Sequence, residues 1–319
     1  MRRKACSFKN WMFAAAFGIA TLFAASLGNA ADRVRVHMPP PSMESMPFLI
    51  ASDLGFYREA NIEFDPRVLN TDIGVMATVA GDIDVTQILG LSLRGAIDQG
   101  FDLKIVMLFN RLPSYSLFVA KNIKSYADLK GKKIGSTSSG ASATKALREA
   151  LSSNGLDPQK DVTLFYIGGT PTIFQALMGG TVDGGILLSP FDLNAQERGF
   201  QTLPFADKPG ILMGGVSASG KFLRDRPDVA RRFLNATWRG LRVFKTDKNK
   251  AVDAMAKAMK IERPLAGQMY DRWISRFSDA GFEDEGFMQQ VLNFEFGKSS
   301  DELQKRAFDF SIVRSFSRD

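Results

Sequence analysis

The stretch SYADLKGKKIGSTSSG, residues 125–140, combines a helical turn, a short strand and a small polar loop. Gly131 is suited to end the helical turn, because glycine readily adopts the left-handed conformation. The strand predicted at residues 132–136 leads through serines, a threonine and a glycine into a helix-forming segment from Ala141 onward. A strand that feeds a helix in this way is the repeating unit of α/β proteins. The stretch therefore predicts an α/β fold.

The polar loop inside this stretch, residues 136–140, has two interpretations that both stay open. A hydroxyl-rich loop before a helix directs backbone N–H groups at the loop and favours an anion there. Alternatively, one serine only caps the helix and the others are turn residues.

The remaining chain continues the alternation of strands and helices. Strands are predicted at residues 33–37, 61–69, 83–88, 103–109, 132–136, 162–167, 182–188 and 211–217. Helices are predicted between them, at residues 46–57, 71–80, 91–99, 141–153, 170–178 and 190–197, and in a tail at 227–245, 248–260, 263–280 and 283–296. This order predicts largely parallel sheets flanked by helices.

Corresponding residues recur in the two halves of the chain at an almost constant spacing. The matched pairs are Ile62 with Val162, Thr71 with Thr170, Asp84 with Asp183, and Gly100 with Gly199. The spacing is too long for a solenoid repeat. It indicates two similar α/β lobes, although two unrelated βα runs with chance spacing remain the alternative.

The first thirty residues are predicted to be a Sec signal peptide, cleaved near Ala30. They begin with four basic residues, continue with an apolar run at residues 11–27 and end in small residues. An uncleaved anchor is the alternative. We expect lobe I to comprise residues 31–112 and 218–319, and lobe II residues 113–217. The two connections between the lobes would form a hinge.

Charge and residue usage narrow the classes of function. Residues 31–319 hold 37 of the 41 lysines and arginines and all 34 acidic residues, a balance that gives little support to nucleic-acid binding. Cys6, the only cysteine, lies in the predicted signal peptide, and His37 is the only histidine. A thiol nucleophile, a Ser-His-Asp triad and a histidine-based metal site are therefore disfavoured, and we predict no enzyme activity, no metal and no cofactor.

Several stretches together resemble the solute-binding proteins of nitrate, sulfonate and taurine ABC importers, the NMT1/THI5-like family. The stretches that carry the resemblance are PFLIASDLGFY at 47–57, AGDID at 80–84, SYADLKGKKIG at 125–135, NGLDPQKDV at 154–162, ALMGGTVD at 176–183, LSP at 188–190 and RPDVA at 226–230. The resemblance implies a two-lobed periplasmic binding protein fold of type II, with a small solute between the lobes. It also implies a periplasmic, monomeric protein that delivers its solute to an ABC permease and its ATPase.

The same resemblance implies a site on the loops at the strand ends, and ligand placement at the carboxyl ends of parallel strands predicts these loops independently. The predicted ligand-binding residues are His37, Met38, Pro41, Met43, Gln87, Leu89, Thr137, Ser138, Ser139, Gly140, Ala141, Thr170, Ser189 and Pro190. His37, Met38, Met43 and the neighbouring Phe191 have structural alternatives, because buried residues of these types are common in cores.

The predicted loops contain no lysine or arginine, and Arg94 and Arg111 are the nearest. A strongly charged dianion would depend on helix N-termini alone. We therefore expect a monoanionic or partly apolar solute, such as a sulfonate, nitrate or taurine. The alternatives are binding of a thiamine-pyrimidine precursor, for which the typical run of cysteines is absent, and an enzyme or sensory domain of the same fold.

Overall fold

Two five-stranded sheets carry the fold in the computed structural model, which describes residues 30–39, 41–69, 71–87, 90–205 and 210–316. The first sheet contains β1 (Asp32–Met38), β2 (Ile62–Val68), β3 (Val85–Gln87), β4 (Leu103–Leu108) and β10 (Gly215–Ser219). The second contains β5 (Tyr115–Val119), β6 (Lys133–Ser136), β7 (Thr163–Tyr166), β8 (Gly184–Leu188) and β9 (Gln201–Leu203). The predicted signal peptide lies outside the described residues, apart from Ala30.

The two sheets have the same topology. Their strand orders are β2-β1-β3-β10-β4 and β7-β6-β8-β5-β9. In each sheet the first three strands are parallel, and the fourth, β10 or β5, is antiparallel to both neighbours. The predicted mainly parallel sheets and two-lobed fold are thereby confirmed.

The repeated aspartates of the sequence occupy equivalent places in the two sheets. Oδ2 of Asp84 accepts the backbone N–H of Arg35 in β1 at 2.9 Å. Oδ2 of Asp183 accepts the backbone N–H of Lys133 in β6, also at 2.9 Å. Each carboxylate thus satisfies an N–H group of the strand beside it. The spacing of about a hundred residues in the sequence therefore reflects two lobes of one topology.

Helices cover both faces of the sheets. They are α1 (Met46–Asp53), α2 (Phe56–Glu59), α3 (Thr71–Ala80), α4 (Gly90–Asp98), α5 (Ser142–Ser153), α6 (Thr170–Met178) and α7 (Phe191–Glu197), followed by α8 (Gly220–Asp225), α9 (Pro227–Thr246), α10 (Lys248–Met259), α11 (Arg263–Trp273), α12 (Glu285–Val291), α13 (Asp301–Ala307) and α14 (Ser311–Phe316). Helix α9 packs directly on α1, where a Cβ at Gly240 would lie 2.1 Å from Pro47 O. The core of the first sheet includes Phe48, whose ring lies 5.3 Å from that of Phe109.

Several predicted boundaries were wrong. The segment predicted as a helix at 46–57 breaks at Gly55, whose φ of 77° ends α1 before α2 begins. Helix α11 ends at Trp273 and not at residue 280, because the next residues form a 3₁₀ turn and a bridge to Asn110. The segment at 283–296 divides into α12 and a π-helical turn, Leu292–Phe296.

Five of the described elements were not predicted. Strand β5 lies within the segment interpreted as a connection, β9 has only three residues, α8 precedes the predicted tail helices, and α13 and α14 follow them. Strand β10 begins at Gly215, later than expected. The chain crosses between the sheets from β4 to β5 and from β9 to β10. The lobe boundaries at 112/113 and 217/218 stay a prediction.

Candidate ligand site between the two sheets

The loops at the carboxyl ends of the strands of both sheets approach one another where α4 and α5 begin. A Cβ placed on Gly90, the first residue of α4, would lie only 2.5 Å from Ser142 Oγ, at the first residue of α5. Gly90 follows the predicted loop 87–89, and Ser142 follows the predicted loop 137–141. The structure therefore brings together the two residues that directly follow two of the loops assigned to the site by the sequence analysis.

His37 is completely buried at the end of β1. Its Nε2 lies 3.2 Å from Leu69 O, and its Nδ1 lies 2.6 Å from Thr86 Oγ1. Because a carbonyl oxygen only accepts, Nε2 carries the proton and Nδ1 accepts from the threonine hydroxyl. Burial lowers the pKa of His37, partly opposed by the bond to Leu69. Both ring nitrogens are used inside the first sheet, which favours the structural alternative for this residue.

The other predicted residues of the first sheet divide into core and surface. Met38 and Met43 are 3% and 4% exposed and belong to the core beside Phe48, as the structural alternative expects. Gln87 is buried, and its Oε1 accepts a hydrogen bond from Ser45 Oγ at 3.1 Å. Pro41 is exposed. Leu89 lies outside the described residues.

The loop 137–141 is exposed or half-buried and is held from the side of α5. Thr144 Oγ1 donates to Ser138 O at 2.7 Å, and Arg148 Nη1 donates to Ser139 O at 2.8 Å. The helix has Ala141 as its N-cap, and no side chain caps it. The alternative in which a serine of the loop caps the helix is therefore wrong, because the N-cap is Ala141, one residue beyond Gly140, and the helix begins at Ser142. Ligand contact by Thr137, Ser138, Ser139, Gly140 and Ala141 stays a prediction.

The remaining predicted residues, Thr170, Ser189 and Pro190, are half-buried at the ends of β7 and β8. Thr170 is the first residue of α6, whose N-cap is Gly169 and not Thr170 as predicted. The Ser189 hydroxyl accepts from Trp273 Nε1 at 2.7 Å and donates to Asp192 Oδ1 at 2.6 Å. Helix α11 of the tail therefore reaches the loop that follows β8 in the second sheet.

Asp192 extends this contact as a fully buried carboxylate. Its Oδ2 lies 2.9 Å from Nε of Arg272, the residue before Trp273. Burial raises the pKa of Asp192, and the Ser189 hydroxyl and the charge of Arg272 oppose that rise. Arg272 and Trp273 together attach α11 to the start of α7.

A second group of buried polar residues lies where the chain crosses between the sheets. A Cβ at Gly214 would lie 2.5 Å from Asn110 Oδ1 and 2.7 Å from Glu44 Cβ, so all three residues are in contact. Glu44 and Asn110 are 4% and 2% exposed. Glu44 Oε1 and Asn110 Oδ1 are buried acceptors with no hydrogen-bond partner. Tyr115 OH, at the start of β5, is likewise buried without a partner.

Glu295 is a third buried acceptor group, contributed by the π-helical turn after α12. It is 2% exposed, and its carboxylate accepts from Ser142 Oγ at 3.0 Å and from Leu212 N at 3.2 Å. Burial raises the pKa of Glu295, and its hydrogen bonds and the nearby Arg94 and Lys145 lower it. The carboxylate lies beside the same two helix starts that Gly90 and Ser142 define.

Sequence reasoning missed Glu44, Asn110, Tyr115 and Glu295. Two of them carried a usable signal, because Glu44 stands alone between methionines in MESM and Glu295 between phenylalanines in NFEF. A charged residue inside an apolar run is expected to be paired or functional when it is buried. Asn110 and Tyr115 carried no such signal.

The described residues hold no cluster of three or more histidine, cysteine, aspartate or glutamate side chains suited to a metal ion. Among these residues, no helix has the length and apolar character needed to cross a membrane.

Two sheets of one topology, joined by two crossings and with facing loops, define a binding-protein fold. The sequence profile described as NMT1/THI5 like matches residues 42–251, more than half of the 319-residue chain. The chain belongs to this family, as the resemblance in its sequence predicted.

A curated relative is the riboflavin-binding protein RibY of Chloroflexus aurantiacus. It is 30% identical over 210 residues, which make up 63% of this chain and 59% of RibY. The match thus spans less than two thirds of the length of that relative.

Solved structures share the fold at low sequence identity. The periplasmic aliphatic sulphonate binding protein SsuA from Escherichia coli superposes with a TM-score of 0.70 at 20% identity, over 87% of this chain and 92% of SsuA. The desulfurization enzyme DSZB superposes with a TM-score of 0.64 at 18% identity, over 90% of this chain and 99% of DSZB. The chain therefore has the periplasmic binding protein fold, which most of its structural neighbours use for solute binding and DSZB shares.

Proposed function

We propose that this protein is the extracytoplasmic solute-binding component of an ABC importer, and that its solute is an uncharged heterocycle rich in N–H and O–H donors. It captures the solute between the two sheets and delivers it to a permease. Membership of the NMT1/THI5-like family and the binding-protein fold support the first part. The chemistry of the buried polar atoms between the sheets supports the second.

The observation that carries the choice of solute is the set of buried acceptors. Glu44 Oε1 and Asn110 Oδ1 have no partner, and the Glu295 carboxylate is also buried there. A buried acceptor without a donor costs about 1–3 kcal/mol, so a ligand that supplies donors gains that free energy on binding. Nitrate and the sulfonate group carry only acceptor oxygens, so they supply no donor to these buried acceptors.

The sequence predicts a monoanionic or a partly apolar solute. The buried acceptors favour the second of these, an uncharged and partly apolar solute with hydrogen-bond donors. Riboflavin combines a ring N–H, several hydroxyls and an apolar ring system without net charge. The name of the relative RibY refers to riboflavin binding, which agrees with this chemistry. A thiamine-pyrimidine precursor also carries N–H and O–H donors and is the second candidate within the same class.

The test is a titration of the purified protein with riboflavin, followed by quenching of flavin fluorescence and by calorimetry. Parallel titrations use a hydroxymethyl-aminopyrimidine, taurine and nitrate. We expect saturable binding of riboflavin or of the pyrimidine, and no binding of taurine or nitrate. Saturable binding of taurine or nitrate alone would overturn the proposed solute class.

An enzyme of the same fold is the alternative function, because DSZB superposes over almost its full length. Prolonged incubation with any solute that binds, followed by chromatography, distinguishes the two. A binding protein returns the solute unchanged, whereas a time-dependent product would overturn the transport assignment.

A further inference from the structure

The π-helical turn Leu292–Phe296 bridges the two sheets through consecutive residues. Phe294 packs against the core of the second sheet, where Lys145 Nζ lies 4.6 Å from its ring centre. Arg94 of α4, beside the first sheet, donates to Glu295 O at 2.7 Å. π-Helical turns are rare and frequently occur at functional sites. Contacts with residues beside both sheets therefore fix the position of the turn that contains Glu295.

The Glu295 carboxylate lies between the first residues of two helices. Its Oε2 accepts from Ser142 Oγ, at the start of α5. Its Oε1 would lie 3.3 Å from a Cβ at Gly90, at the start of α4. A side chain at position 90 would therefore displace the Ser142 hydroxyl and crowd the carboxylate.

The surroundings of this carboxylate are positive. The start of an α-helix carries a partial positive charge, and no side chain caps α5. The full charges of Arg94 and Lys145 act on Glu295 as well. Tyr115 is a further titratable side chain in this region, and burial raises its pKa, to which Glu295 adds. Burial raises the pKa of Glu295 and the charges of Arg94 and Lys145 oppose that rise, so its ionised form balances the helix starts and the two cations.

The position coincides with the predicted ligand site, because Gly90 and Ser142 immediately follow the loops 87–89 and 137–141. We propose that Glu295 sets the charge preference of the site. It occupies the place that an anionic solute would take at the two helix starts and repels such solutes. Its lone pairs also accept hydrogen bonds from an uncharged solute. This proposal rests on the binding function and on the location of the site given above.

The experiment compares wild-type protein with Glu295→Gln, using calorimetry with methanesulfonate and with riboflavin as probes. Gln has nearly the same shape and keeps an acceptor for Ser142, but it removes the negative charge. Arg94, Lys145 and the helix starts would then lack their balancing anion. We expect methanesulfonate to bind the variant at least about tenfold more tightly than the wild type, a difference of 1.4 kcal/mol.

Two further variants control the comparison. Glu295→Asp keeps the charge and should reject methanesulfonate as the wild type does. Glu302→Gln removes one charge from an exposed residue of α13 and should leave both affinities unchanged. Thermal melting verifies that each variant is folded.

The outcomes separate this proposal from the proposed function. Equal, weak methanesulfonate binding by the wild type and by folded Glu295→Gln overturns the role of Glu295, whether or not riboflavin binds. A gain for methanesulfonate in Glu295→Gln, with riboflavin binding to neither protein, supports Glu295 and overturns the flavin assignment. Tight methanesulfonate binding by the wild type overturns both.

Discussion

The indole nitrogen of Trp273 donates a hydrogen bond to Ser189 Oγ at 2.7 Å. The two residues are 84 positions apart in the chain and belong to helix α11 of the tail and to the loop after β8. With the ion pair between Arg272 and Asp192, this bond fastens the tail to the loop and helix that follow β8. The relative position of the two sheets therefore depends on the tail as well as on the two crossings.

Replacing Trp273 with Phe removes this hydrogen bond and retains an aromatic ring. We expect the solute affinity to fall about fivefold, since a net hydrogen bond contributes about 1 kcal/mol and closing the site would no longer form it. Calorimetric titration measures the change. The matched control is Trp238→Phe, which loses the bond of Trp238 Nε1 to Ala280 O within the tail. Equal affinities in all three proteins would show that the Trp273 bond does not contribute to closure.

Substitution of alanine for glycine should have opposite effects on stability at Gly214, in the crossing region, and at Gly267, in α11. Gly214→Ala would place a Cβ 2.5 Å from Asn110 Oδ1 and 2.7 Å from Glu44 Cβ, so it should lower the free energy of unfolding by about 1–3 kcal/mol. Gly267→Ala, in α11 with open space around it, should raise that free energy by about 0.5–1 kcal/mol. Urea denaturation measures both. A Gly214→Ala variant as stable as the wild type would contradict the close contact of the three residues.

His37 should make stability depend on pH. Burial lowers its pKa in the folded state, below the value of about 6.5 in the unfolded chain. The unfolded state therefore binds more protons as the pH falls through 6.5, and the folded state loses stability there. The raised pKa values of Asp192, Glu283 and Glu295 act with the opposite sign.

The contribution of His37 is obtained by subtraction. We compare the free energies of unfolding of the wild type and of His37→Gln at pH 7.5 and at pH 5.5. The change from pH 7.5 to 5.5 should be less favourable to the folded state in the wild type than in the variant. Solute affinity at pH 7.5 should be nearly the same in both, because neither ring nitrogen is free. Parallel pH profiles of stability would contradict the lowered pKa of His37. A large loss of affinity in the variant would show that His37 belongs to the ligand site.

The loop 137–141 is tested directly by substitution. Gly140→Val should weaken solute binding strongly, because a branched side chain blocks approach to the backbone, and Ser139→Ala should weaken it about fivefold through loss of one hydrogen bond. Ser152→Ala, exposed at the far end of α5, serves as the control. If calorimetry finds wild-type affinity in both loop variants, the loop does not contact the solute.

Local patterns in the sequence sufficed for the α/β class and for the duplication. Asp84 and Asp183 could be matched because each precedes a strand at the same distance from a turn glycine, and both make the same bond to a neighbouring strand. Strand β5 was missed because Pro113 and the serines around it are typical of a loop. Strand β9 is too short to show an alternating pattern.

The buried acceptors between the sheets could not be predicted in the same way. Glu295 lies more than 150 positions from Ser142 along the chain, and only the folded tail brings the two together. Asn110 and Gly214 likewise come from the two separate crossings. Such groups depend on long-range packing, which no local periodicity encodes.

The antiparallel position of β10 in the first sheet has a consequence for the order in which that sheet can form during synthesis. Strands β3 and β4 are not paired with each other, and β10 fills the gap between them only after the whole second sheet has been made. Until Ser219 has left the ribosome, the backbone N–H and C=O groups of β3 and β4 that will pair with β10 have no strand partner. The first sheet and its core can therefore be completed only after the second sheet has been synthesised.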